Sequence, residues 1–147
     1  MKRIKVSENF YADEYIPREL YVDIWHKPWV VRGLIDYRLI EADQKLRSIF
    51  GATQINTWWN GGENNASGLR LPTSKFYSNT SQHTFGRASD KHFLNYTAEE
   101  VQEYVKKHWK ELGIYGLELG VSWVHTDVRW NGYYQDPRNE LKTFNPS

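Results

Sequence analysis

The sequence predicts an α+β fold, an antiparallel sheet carrying a candidate site on one face with helices packed on the other. Three observations lead there. A length of 147 residues accommodates one compact domain and little else. Two segments repeat apolar residues at helical spacing between start and stop signals. Short runs rich in β-branched and aromatic residues lie between and after them.

In chain order, residues 1–34 read as an irregular N-terminal wrap with one helical turn, because Phe10 to Trp29 is rich in aromatics and broken by Pro17 and Pro28. Ile35 to Phe50 reads as a helix: Leu39, Ile40, Leu46, Ile49 and Phe50 recur at helical spacing, Asp36 caps the start and Gly51 supplies the stop. Thr53 to Trp59 reads as a strand running into Asn60-Gly61-Gly62. Gly61 to Gln82 has the composition of a long loop, a feature that in a compact domain tends to be functional. Thr97-Ala98-Glu99-Glu100 has the form of a capping box, opening a helix whose Val101, Tyr104, Val105, His108 and Leu112 share one face before Gly113. Ile114 to Leu119 and Ser122 to Trp130 are β-type runs, and residues 131–147, with Asp136-Pro137 and Pro146, form a polar tail. The whole chain, 1–147, is expected to be a single domain.

Composition excludes several functions. Lys plus Arg number 19 against 18 Asp plus Glu, too even a balance for the basic field of a nucleic-acid binder. There is no cysteine, which excludes a disulfide scaffold, a thiol nucleophile and a Cys-ligated metal. A metal here must be held by His, Asp or Glu. The basic start Met1-Lys2-Arg3-Ile4-Lys5 runs into Val6-Ser7-Glu8-Asn9 rather than into the apolar stretch of a signal peptide, and no run matches a membrane helix. Synthesis as a soluble cytoplasmic product without a membrane partner is expected. Aromatics are abundant, with 7 Trp, 10 Tyr and 6 Phe, and suit core and boundary positions first, a substrate groove second.

Of the five histidines, His26, His92 and His108 read as packing or surface residues. His83 and His125 differ in their surroundings. Ser81 to Asp90 combines a His and an Asp with the small residues Gly86 and Ala88 between them. Downstream, Ser122 to Arg129 alternates as a strand, which places His125, Asp127 and Arg129 on one face. Two imidazoles and a carboxylate from separated segments make the three-ligand set of a catalytic zinc, and on the residues alone this is one constellation among several. A Ser-His-Asp triad is a poor rival, since no Gly-x-Ser-x-Gly elbow occurs. Nor is Gly61-Gly62 part of a phosphate-cradling string.

The string Ser-x-His-x-x-Gly-x-Ala-x-Asp, met by Ser81, His83, Gly86, Ala88 and Asp90, and the later His125-Thr126-Asp127 resemble the LAS zinc peptidases, which group lysostaphin-type enzymes, D-Ala-D-Ala carboxypeptidases and hedgehog domains. The likeness is greatest to the carboxypeptidase branch and, within it, to small bacteriophage-encoded members. Ser67-Gly68-Leu69-Arg70 resembles the branch's Ser-Gly-Tyr-Arg element, and the likeness spans roughly Phe10 to Trp130.

That resemblance implies a zinc ion held by His83, Asp90 and His125, with a peptidase's metal-activated water as nucleophile. Glu118 is the implied base that carries the proton, with a solvated strand carboxylate as its plain alternative. Many members place this acid three residues before the second His, where this chain has Ser122; hedgehog-type and phage-type relatives carry a Glu farther upstream. Arg70 would hold a substrate carboxylate or an oxyanion, Asp127 would orient a ligand imidazole, and Ser81 would tie down the His83 loop. The implied substrate is the stem peptide of bacterial peptidoglycan, cut as an endolysin-like endopeptidase or as a D-Ala-D-Ala carboxypeptidase. A phage origin would bring the protein to the wall by lysis-linked release or within a virion, beside other virion proteins. The rival expectation is a non-catalytic virion structural or wall-binding protein that keeps the fold.

Overall fold

The computed structural model describes residues 1–129 and 140–146. Among these residues, four α-helices and a five-stranded sheet make up a mixed α+β fold. The N-terminal region is more regular than expected. After a single 3-10 turn at Ala12–Glu14 it forms two short helices, α1 (Arg18–Ile24) and α2 (Pro28–Gly33). Pro17 and Pro28 sit at the starts of these helices, where a missing N–H costs no hydrogen bond, so they initiate structure that they were expected to break.

Helix α3 (Tyr37–Phe50) begins as the sequence predicts, with the Asp36 carboxylate accepting from Arg38 N at 3.0 Å, and it ends at Gly51. Helix α4 (Ala98–Leu112) begins with Thr97 Oγ1 accepting from Glu100 N at 3.1 Å and ends at Gly113. His108 departs from helical geometry and stacks on Tyr104, ring centroids 4.3 Å apart.

The strands are β1 (Thr53–Gln54), β2 (Ala88–Phe93), β3 (Gly116–Glu118), β4 (Val124–Asp127) and β5 (Lys142–Phe144), in the spatial order β1-β2-β4-β3-β5. The first three pairings in that order are antiparallel, but β5 runs parallel to β3, so the sheet is mixed rather than antiparallel. Lys142–Phe144 lie within the stretch expected to be a polar tail. There Lys142 N donates to Tyr115 O and Leu119 N to Phe144 O, which zips the segment onto the free edge of β3. Trp130, Asp136 and Pro137 lie outside the described residues.

Thr53 to Trp59 is not one strand. Past Gln54 the backbone finds other partners: Asn56 N donates to Glu14 O at 3.0 Å and Thr57 N to Asn64 O at 2.9 Å. The chain then closes a 3-10 turn at Trp58–Asn60. Adjacent residues of a strand would face opposite sides, but in this turn the rings of Trp58 and Trp59 both pack on Tyr21, at 5.5 and 6.1 Å. Partly buried themselves, they pack against a buried cluster that includes Phe10, Tyr15, Val31 and Leu39. A second cluster joins Leu46 of α3, Val101 and Val105 of α4, and Leu117 and Val124 of the sheet.

Alternation along β2 and β4 separates two chemistries. Asp90 and His125 face one side of the sheet, while Ser89, Lys91 and Thr126 turn toward α3. On that side the fully buried Lys91 ammonium lies 3.1 Å from Asp43 Oδ1 and donates to Thr126 Oγ1 at 2.8 Å and Ser89 O at 3.1 Å. Asp43 Oδ2 in turn accepts from Ser89 Oγ and from the Tyr15 hydroxyl. This buried network pins α3 to β2 and β4 directly behind the two site residues. Among the described residues, no helix is long and apolar enough to cross a membrane.

Candidate metal centre

His83 sits in a 3-10 turn, Gln82–Phe85, capped by Ser81, whose Oγ accepts from His83 N at 3.2 Å. Gly86 ends that turn with φ +67°, and a side chain there would collide with Leu34 O at 2.0 Å, so the turn seats against α2 only with glycine at this position. Antiparallel pairing of β2 with β4 sets Asp90 directly opposite His125. Three ligand atoms converge as a result. Asp90 Oδ1 is 2.9 Å from His125 Nδ1 and 3.3 Å from His83 Nε2, and the two imidazole nitrogens are 3.2 Å apart.

The outward-facing atoms of both rings are already engaged. His83 Nδ1 lies 2.8 Å from Gly68 O, which can only accept, so the hydrogen of the neutral ring sits on Nδ1 and Nε2 presents a lone pair. His125 Nε2 lies 3.0 Å from Asp127 Oδ2, which by the same logic leaves a lone pair on Nδ1. Asp127 is itself gripped by Arg129 through Nε at 2.7 Å and Nη2 at 2.6 Å. Two lone pairs and an anionic oxygen thus point at one another with no hydrogen between them, a cluster that calls for a cation. His83, Asp90 and His125 are the group of this kind among the described residues that can hold a metal ion, and their two-nitrogen, one-oxygen set suits zinc.

Without an ion, a proton must serve. Burial pushes the His83 pKa below 6.5. Burial also opposes charge on His125, but its hydrogen bonds to Asp127 and Asp90 outweigh this and raise its pKa. Asp90, despite its burial, is held far below the usual carboxylate range by bonds from His125 and His83. Asp127 is brought down to about 2, burial being overcome by Arg129 and His125.

A cleft of about 780 Å³ opens onto this cluster, lined by Arg70, Glu118, Trp123 and Phe144 among others. Glu118 ends β3 opposite Phe144, and its pKa is raised, chiefly by burial. Ser122, at the position where an acid is often found, is exposed and does not line the cleft. Arg70 lies on the loop, its Nη2 2.9 Å from Asp90 Oδ2. Among the described residues, the tryptophan of the cleft wall is Trp123, and neither Trp58 nor Trp59 takes part.

Several contributors were not legible as site residues. Phe144 covers His125 edge-on, ring centroids 5.4 Å apart, with the Arg129 guanidinium 5.2 Å from its ring. Gly116 faces Asp127 across the β3–β4 ladder, where a Cβ would come within 2.1 Å of the carboxylate; a glycine inside a strand is the signal that such a close approach leaves. Gln82 Oε1 and Trp123 Nε1 are buried at the cleft with no hydrogen-bond partner among the described residues. Compared with protein-family models, curated proteins and solved structures, the chain has no significant match.

Proposed function

We propose that this chain is a zinc-dependent peptidase acting on the stem peptides of bacterial peptidoglycan, as an endopeptidase or a D-Ala-D-Ala carboxypeptidase. The observation that carries the proposal is the convergence of His83 Nε2, Asp90 Oδ1 and His125 Nδ1 at the floor of an open cleft, with the far side of each imidazole already tied down. The resemblance of Ser81 to Asp90, and of His125 to Asp127, to LAS peptidase motifs supplies the substrate class.

A zinc ion in this site supplies Lewis acidity, polarising a peptide carbonyl and bringing the pKa of water near neutrality. The remaining work falls to the protein. Glu118 lines the same cleft, and its raised pKa suits a carboxylate that accepts a proton and returns it to the leaving amine. Asp127, clamped by Arg129, keeps the His125 ring in one tautomer and one orientation. Phe144 and Trp123 give the cleft an apolar wall beside the ligands, with Phe144 edge-on to His125.

The test combines elemental analysis, which also separates zinc from the iron that a similar donor set can hold, with digestion of purified peptidoglycan and mass spectrometry of the muropeptides. One bound zinc with loss of a stem-peptide bond is expected. Glu118→Gln should retain zinc and lose turnover, and full activity in that variant would remove Glu118 from the base role. Zinc bound without cleavage would favour a wall-binding protein that keeps the fold.

A further inference from the structure

We propose that Arg70 is a positioning residue that confines Asp90 to a single metal-ligating oxygen, resting on the metal-centre reading above. Its guanidinium is held at two points. Nε donates to Ala66 O at 2.8 Å and Nη2 donates to Asp90 Oδ2 at 2.9 Å. The other carboxylate oxygen, Oδ1, is the one that faces both histidines. A carboxylate with two free oxygens can close on an ion through both; one whose second oxygen is committed to a guanidinium offers only the first. The protein then contributes three ligand atoms rather than four, and a coordination position is left for water or substrate.

The neighbouring backbone serves the same end. Ala66 O receives Arg70, Ser67 O receives Asp90 N at 2.7 Å, Gly68 O receives the His83 ring, and Arg70 N donates to His83 O at 3.2 Å. Residues 66–70 form a strap that touches both segments bearing the first two ligands. Leu69 N, bonded to Tyr15 O at 2.7 Å, anchors the strap to the core.

Charge and position make opposite predictions, which allows a decisive test. A cation beside the ion opposes ion binding, so a purely electrostatic role means that removing Arg70 tightens the metal with no change in coordination. A positioning role means that the coordination changes. The experiment is X-ray absorption at the zinc edge together with the visible spectrum of the cobalt-substituted protein, for the wild type and for Arg70→Met. Wild type should show two imidazoles and one carboxylate oxygen in a four-coordinate site. Arg70→Met should gain a second carboxylate oxygen and lose intensity in the cobalt bands, as coordination number rises. Arg70→Ala supplied with methylguanidinium should regain the wild-type spectrum.

A bidentate carboxylate in the wild type overturns the inference without recourse to any variant. Identical coordination in wild type and Arg70→Met also overturns it, while leaving the metal centre intact. A wild-type protein that binds no ion overturns both.

Discussion

Protons and a metal ion compete for the same lone pairs, so zinc affinity should follow pH in a way the structure specifies. In the ion-free protein His125 is the group that gains a proton, because its pKa is raised above 6.5 while that of His83 is lowered below it. Zinc must displace that proton. Between the two imidazole pKa values, affinity is expected to fall about tenfold, or about 1.4 kcal/mol, for each pH unit lost. Above the His125 pKa the dependence flattens, and below the His83 pKa it steepens toward two protons per ion. The contribution of His125 to the stability of the ion-free protein runs the other way. A raised folded-state pKa contributes stability that is complete below the unfolded value near 6.5 and is lost as pH climbs through the folded value. Chelator competition at stepped pH, with proton release read in buffers of different ionisation enthalpy, measures the affinity slopes, and denaturant unfolding of the ion-free protein measures the stability slope. Affinity independent of pH from about 5 to 8 would refute ligation by these two rings.

Lys91→Met strands the Asp43 carboxylate in the interior and should cost about 3–5 kcal/mol in denaturant unfolding, with most of it restored by adding Asp43→Leu; a loss below about 1 kcal/mol would show that water reaches the pair. Gly116→Ala drives a methyl group into the Asp127 carboxylate, and zinc affinity should drop about 10–100-fold by chelator competition while circular dichroism stays native. Unchanged affinity in that variant would mean that Asp127 does not orient His125. Asp127→Asn removes the anion that sustains the His125 imidazolium, so the pH at which zinc affinity levels off should move down, and an unmoved profile would assign the raised pKa to Asp90 alone.

Local rules carried part of the architecture. Asp36, Gly51, Thr97 and Gly113 mark α3 and α4 in the sequence because caps act within a few residues of the groups they satisfy. The strand expected through Trp59 failed because Asn56 and Thr57 bond to Glu14 and Asn64, partners that no local pattern announces. Three residues, Lys142 to Phe144, are too few to show alternation, so β5 hid inside a polar stretch. At the site, His83, Asp90 and His125 were legible as residue types at telling spacings. Gly116, Phe144 and the carbonyls of Ala66, Ser67 and Gly68 were not, because their roles come from cross-strand register and loop path. Arg70 was legible as a site residue from its motif, whereas its bonds to Ala66 O and Asp90 Oδ2 follow from the path of the loop.

The alternation along β2 has a consequence for how the chain avoids misfolding. A slip of one residue against its neighbours would exchange the two faces of the strand. Asp90 would then turn toward Asp43, setting carboxylate against carboxylate in a dry interior, while the Lys91 ammonium would be thrust between two imidazoles. The first error places like charges together where water cannot screen them, and the second strips Asp43 of its buried cation. The opposite charges of Asp90 and Lys91, adjacent in sequence, therefore act as an error check on strand pairing, and a chain that passes it has assembled the ligand cluster in the same step.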